Sequence, residues 1–209
     1  MIDNSNFLYF NLTIIVPAII CFIRIKILPI EYLFFLVFLF TGLVNEIINF
    51  INISNKVNSI STLIYSAIEI QCLVYIFSRW RGFRSIFIRN LQFGLFLSWT
   101  IGYIIKINPS DTAINWFRIL DGIVLIIIAI PILNKRNTQD TLSHRLIVIP
   151  YIVFTVYLIT LNLLMAFLFN KTTQPLFINL YSLITIINFL SYISYSLAIL
   201  WAPKKQQYL

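Results

Sequence analysis

Three carboxylic acids stand inside long apolar runs of this 209-residue chain, and they are the residues best suited to chemistry: Glu46, Glu69 and Asp121. An acid at mid-span costs about 2.5–3.5 kcal/mol, so each should face a cavity or a partner. Their neighbours follow the same logic. Gly42, Asn45, Glu46, Asn49 and Asn52 form one helical stripe, and Thr62, Tyr65, Ser66, Glu69 and Cys72 form a second. Asn115, Arg118, Asp121 and Gly122 make a third, and Tyr181, Thr185, Asn188, Tyr192 and Tyr195 a fourth. Stripes of this period mark faces turned toward the inside of a bundle. A carboxyl held neutral by surrounding hydrocarbon suits proton exchange or cation binding. On that reading Glu46 and Glu69 coordinate the ligand or exchange the proton and Asp121 tunes the site. Asn45, Asn49, Tyr65, Asn162 and Asn188 supply hydrogen bonds. A purely architectural reading stands beside it: Asn and Ser pair across helices simply to hold bundles together. Arg118, three residues before Asp121, forms an i,i+3 ion pair with it.

The elements that must position these residues follow from composition. Sixty per cent of the chain is apolar, 11% is charged, and the mean hydropathy is +0.91. Ordinary globular domains carry roughly 25% charged residues, and a soluble chain of this size could not hide so much Ile, Leu and Phe. The expected class is all-α, a polytopic membrane protein. Apolar stretches long enough to cross about 30 Å of hydrocarbon recur seven times, over residues 8–26, 31–53, 59–78, 86–106, 114–133, 146–169 and 176–201. Pro29, Pro109, Pro150, Pro175 and Pro203 read as lying near helix ends, and Pro17 and Pro131 inside spans.

The net charge of +8 is distributed as a topology signal. Arg24, Lys26, Arg79, Arg81, Arg84, Arg89, Lys135, Arg136, Arg145, Lys204 and Lys205 fall on one side, leaving only Lys56, Lys106, Arg118 and Lys171 for the other. The positive-inside rule then puts the N-terminus outside and the C-terminus in the cytoplasm of an inner-membrane protein. A nucleic-acid partner is not implied. Trp80, Trp99, Trp116 and Trp201 read as an aromatic belt. The first residues, MIDNSNF, lack a basic n-region, so the first span reads as a retained helix. Cys21 and Cys72 lie within spans and read as buried thiols. From the rise per residue, Glu46 lies roughly 10 Å, Asp121 roughly 12 Å and Glu69 roughly 16 Å below the outer surface. The acids therefore imply an outward-facing polar pocket.

Two patterns bear on assembly. Leu63-Ile64-Tyr65-Ser66-Ala67-Ile68-Glu69-Ile70 aligns with Asn179-Leu180-Tyr181-Ser182-Leu183-Ile184-Thr185-Ile186, and the same offset sets Glu46 on Asn162. The layout this implies is a parallel 3+1+3 repeat, a known transporter plan. Gly94, Ser98 and Gly102 form a small-xxx-small ridge on the linking span, suited to packing within the bundle or to a homodimer seam.

No familiar catalytic constellation is present. His144, the sole histidine, falls in a basic loop, which excludes an intramembrane histidine metal site or Ser-His dyad. There is no G-x-S-x-G, H-E-x-x-H, P-loop or Rossmann fingerprint, and no cofactor is implied. Leu28-Pro29-Ile30-Glu31-Tyr32-Leu33-Phe34-Phe35-Leu36 resembles, over nine residues, the P-x-E-(E/D) segment that opens a helix in heterodimer-type lycopene cyclases. Tyr32 replaces the second acid and no second copy occurs, so that resemblance implies only Glu31 as an acid acting on a polyene. The other reading of Glu31 is a first-turn carboxylate favoured by the helix dipole. In layout, with single acids in spans 2, 3 and 5, the chain resembles small seven-span bacterial inner-membrane proteins of no assigned activity.

The leading expectation is a site that binds or transports a small polar or cationic solute, with protons as a coupling ion. A non-catalytic sensor or assembly subunit holding a membrane-protein partner is the second reading. The third is a lipid- or isoprenoid-modifying enzyme that uses the same carboxylates.

Overall fold

The computed structural model describes residues 12–51, 55–105, 112–134, 139–168 and 174–204. They form seven helices: α1 (Ile15–Arg24), α2 (Glu31–Ile51), α3 (Asn55–Arg81), α4 (Ser85–Ile105), α5 (Thr112–Leu133), α6 (Gln139–Leu168) and α7 (Gln174–Trp201). Among the described residues, Glu31–Ile51, Ile60–Arg81, Leu142–Leu164 and Ser182–Trp201 are long and apolar enough to cross a membrane. Ile15–Arg24 and Ile119–Leu133 are shorter apolar segments. The surface supports a membrane setting. Phe40, Ile127, Leu190 and Phe96 are more than half exposed, whereas Asn45, Ser66, Asp121, Thr155, Thr185 and Ser191 are buried. An apolar exterior around a polar interior is what a lipid solvent selects.

Six helices close a ring. α1 packs on α2, α2 on α3, α3 on α5, α5 on α6, α6 on α7, and α7 back on α1. α4 lies outside, against α3 with a lighter contact to α5. Its seam with α3 is fastened by a reciprocal pair: Gln71 Nε2 donates to the Gln92 carbonyl at 3.2 Å and Gln92 Nε2 to the Gln71 carbonyl at 3.0 Å.

One end of the bundle collects the basic residues and fastens the ring. Arg24, in the last turn of α1, donates to the carbonyls of Ile199, Leu200 and Ala202, so a cation satisfies the orphan carbonyls at the end of α7. Arg145 donates to the Leu133 carbonyl at the end of α5, 2.7 Å away. Ser143 Oγ donates to the Ala198 carbonyl at 2.9 Å, so the Tyr32 hydroxyl that meets Ser143 must be the donor between those two. These contacts tie α2, α6 and α7 together. Glu31 opens α2, as the dipole argument expects, and is paired with Arg79 of α3 at 3.4 Å. α3 then stops in a Schellman motif. Gly82 at φ +91° lets its own N–H reach the Arg79 carbonyl and the Phe83 N–H reach the Ser78 carbonyl, each at 3.0 Å.

Three sequence expectations need correction here. Pro150 is not at a helix end but well inside α6, which begins at Gln139, seven residues before the expected start. Its ring removes the bond to the Leu146 carbonyl, and Ser194 of α7 donates to that carbonyl instead at 2.6 Å. His144 is not in a loop: it rides on α6 and stacks on Trp80, with ring centroids 4.0 Å apart and planes 18° apart. Trp80 is accordingly buried in the bundle and does not face lipid. Lys106, Lys171 and the side chains of Lys56, Trp116 and Arg118 lie outside the described residues.

Candidate functional site

Glu69 and Asp121 come from different helices and line the same cavity. Counted back from the basic ends of α3 and α5, both lie about 18 Å along their helices, above the apolar packing. The cavity holds about 80 Å³ and is lined by Tyr65, Ser66, Glu69 and Ile70 of α3, Trp99 of α4, and Asp121, Gly122 and Leu125 of α5. Tyr151, Phe154, Thr155 and Leu158 of α6 complete it.

Its polar atoms are organised. Trp99 Nε1 donates to Asp121 Oδ2 at 2.5 Å across the α4–α5 seam, and both residues are buried. The Tyr151 hydroxyl is hydrogen-bonded to Thr155 and lies within electrostatic reach of both Glu69 and Asp121. The Ser66 hydroxyl donates to the Thr62 carbonyl at 2.9 Å. Gly122 explains how α5 and α6 come close enough to enclose the space. A Cβ there would stand 2.6 Å from Thr155 Cγ2 and 3.2 Å from Ile159 Cδ1, so only glycine fits without a shift.

The remaining candidates divide. Tyr65 lines the cavity and stacks on Phe38 at 6.4 Å. Glu46 does not line it; Glu46 and Glu69 are both electrostatic neighbours of the Tyr192 hydroxyl on α7. Asn45 is buried and acts as a fastener: its Oδ1 accepts from Ser61 at 2.9 Å and from Thr62 at 3.4 Å, joining α2 to α3. Asn162 is buried and donates back to the Leu158 carbonyl of its own helix at 2.8 Å. Asn49 and Asn188 are half-buried and line no part of the cavity. The expected Arg118–Asp121 pair falls on an undescribed side chain, and one partner of Asp121 is Trp99. Among the described residues nothing stands within 4 Å of the position a Cβ on exposed Gly94 would take, so Gly94 is no point of close approach to any of them. Ser98 bonds back to the Leu95 carbonyl, and the surroundings of Gly102 lie outside the described residues.

Trp99, Tyr151 and Thr155 were not among the sequence candidates. Trp99 reads as a belt residue by type and lies about 9 Å inside the far end of α4, yet its ring is buried in the bundle and does not face lipid. Among the described residues no three of His, Cys, Asp and Glu converge as a metal site. No protein-family model, curated protein or solved structure matches the chain.

Proposed function

We propose that this protein crosses an inner membrane seven times, N-terminus outside and C-terminus in the cytoplasm, and exchanges a small cation for protons at the Glu69–Asp121 cavity. The observation that carries this reading is the convergence of two intramembrane carboxyls from α3 and α5 on one small space rimmed by hydroxyls. Its size narrows the substrate. Small-molecule sites occupy roughly 300–1,000 Å³, and about 80 Å³ accommodates an ion or a few waters and not a metabolite. Carboxyl and hydroxyl oxygens are the ligands that hard cations take. Two carboxyls in one low-dielectric space resist being ionised together. A monovalent cation that enters as one proton leaves keeps the charge of the site constant, and this is the simplest coupling rule for such a pair.

The ring supports the parallel 3+1+3 plan. Exchanging α1 with α5, α2 with α6 and α3 with α7 reproduces the same set of helix neighbours, including α3–α5 as the counterpart of α7–α1. The concentration of Arg24, Lys26, Arg79, Arg81, Arg84, Arg89, Arg145 and Lys204 at one end supports the orientation. In proteoliposomes loaded with a pH-sensitive dye, addition of Na⁺ or K⁺ should drive proton movement. Glu69→Gln and Asp121→Asn should each slow it by about tenfold or more, one decade being the effect of roughly 1.4 kcal/mol. Wild-type flux in both variants would refute the exchange mechanism.

A further inference from the structure

The cavity that Glu69 and Asp121 share is walled by more aromatic carbon than a bare metal ion calls for. Tyr65 of α3, Trp99 of α4, and Tyr151 and Phe154 of α6 bring four rings to its wall. These rings stand close to the acids. Tyr65 lies one turn from Glu69 on α3, Trp99 donates to Asp121 at 2.5 Å, and Tyr151 has both acids as electrostatic neighbours. Tyr151, Phe154 and Leu158 follow the i, i+3, i+7 spacing of one helical face, and Ile70 and Leu125 add further aliphatic carbon.

This mixture of walls discriminates between cations. Hard metal ions take oxygen ligands on all sides, and among the described residues no third His, Cys, Asp or Glu joins the two acids. Ring faces attract a cation through their quadrupole, and most strongly where water is excluded. An alkylammonium ion answers both kinds of wall. Its N–H groups donate to carboxylate and hydroxyl oxygens, and its charge-bearing methyl carbon packs against rings and aliphatic side chains. The volume sets its size. At roughly 30 Å³ for each water-sized group, a space of about 80 Å³ takes about two or three non-hydrogen atoms, which suits methylammonium or dimethylammonium and excludes tetraethylammonium.

We infer that the cation exchanged at this cavity is a small alkylammonium ion, its N–H groups held by Glu69 and Asp121 and its methyl carbon by Tyr65, Trp99, Tyr151 and Phe154. The inference rests on the exchange reading and narrows its substrate. The charge balance is kept: one alkylammonium ion enters intact as one proton leaves a carboxyl, and no bond within the ion is made or broken.

Isothermal titration calorimetry on the full chain in detergent tests this, with methylammonium, K⁺ and tetraethylammonium added separately as chlorides at one pH and ionic strength. Methylammonium should bind about tenfold more tightly than K⁺, one decade being within what rings add around a desolvated cation. Tetraethylammonium should not compete with it. Titrations in two buffers of different ionisation enthalpy should show a proton released as methylammonium binds. Phe154→Leu replaces a ring by aliphatic carbon and keeps both acids, and it should bring methylammonium and K⁺ to within about twofold of each other. Tyr65→Leu repeats the test should the first variant fail to fold. Equal or tighter binding of K⁺ by the wild type, displacement by tetraethylammonium, or a preference untouched by either leucine would overturn the inference. Proton release on K⁺ binding would in those cases leave the exchange reading standing, whereas no proton release with any cation would overturn both.

Discussion

From the basic end to about 12 Å up the helices, buried positions are filled mainly by apolar residues such as Phe35, Leu39, Leu73, Phe77, Ile132, Ile147 and Ile199, with the hydroxyls of Ser78 and Ser143 among them. Above that level the buried residues include Asn45, Ser66, Asp121, Thr155 and Thr185, and a cavity opens among them. The contrast is informative because lipid is the solvent. Helices in a bilayer gain nothing by hiding apolar surface from tails that are equally apolar, so cohesion comes from close packing and from satisfied polar groups. The basic half uses both: interlocked aromatics such as Phe35 against Tyr195, with ring centroids 5.3 Å apart, and carbonyls held by Arg24, Arg145 and Ser143. The other half places acids beside empty volume. The first is a floor and the second a site, and substitutions should separate them.

The largest effect belongs to the floor. Phe35→Ala removes a fully buried ring from contact with Phe38, Tyr32 and Tyr195. The void alone should cost roughly 2–3 kcal/mol, lowering Tm by about 4–12 °C for a chain of this size. Thermal unfolding in detergent gives the stability, and cation flux measured well below Tm should be unchanged. A large flux defect in a variant that remains folded would show that the two halves do not act separately.

Glycine sharpens the comparison next. Gly122→Ala forces a Cβ against Thr155 beside the cavity and should cost about 1–3 kcal/mol through the displacement of α5 from α6. Gly94→Ala enters open space on α4 and should be neutral or stabilising by up to about 1 kcal/mol, the helix-propensity difference. Tm shifts of opposite sign are expected from one thermal-unfolding series. Shifts of the same sign would mean that Gly94 meets a second copy of the chain.

Much of this arrangement is legible in the sequence, and the reason is energetic. Hydrocarbon penalises every acid so heavily that Glu69 and Asp121 stand out without any structure, and apolar run length alone marks the helices. The partners were harder to see. Trp99, Tyr151 and Thr155 are ordinary by type in a chain with 11 tyrosines and 19 phenylalanines, and only the ring order brings α4 and α6 to Asp121. Glycine illustrates the same limit: Gly94 and Gly102 form a recognisable spacing, yet tight approaches are made at Gly42 and Gly122, whose neighbours in sequence carry no such pattern. Pro150 reads as a helix end because the donor that rescues Leu146 lies 48 positions away, on Ser194.

The smallest expected effect distinguishes the halves most finely. Trp99→Phe keeps most of the ring but removes the N–H that Asp121 accepts, and Tyr32→Phe removes the hydroxyl that Ser143 accepts. Both bonds are buried, and a hydrogen bond of this kind contributes about 0.5–1.5 kcal/mol net. Double-mutant cycles, Trp99→Phe with Asp121→Leu and Tyr32→Phe with Ser143→Ala, should therefore return couplings of about 1 kcal/mol each in thermal unfolding. Equal energies should not bring equal consequences. The first pair borders the space where a cation would replace a proton, so Trp99→Phe should slow proteoliposome flux severalfold by removing one of the bonds that orient the Asp121 carboxyl. The second pair fastens the floor, and Tyr32→Phe should leave flux at the wild-type rate. If Tyr32→Phe slowed flux as much as Trp99→Phe, the conducting path would have to run through the packed end, and the division drawn from burial would fail.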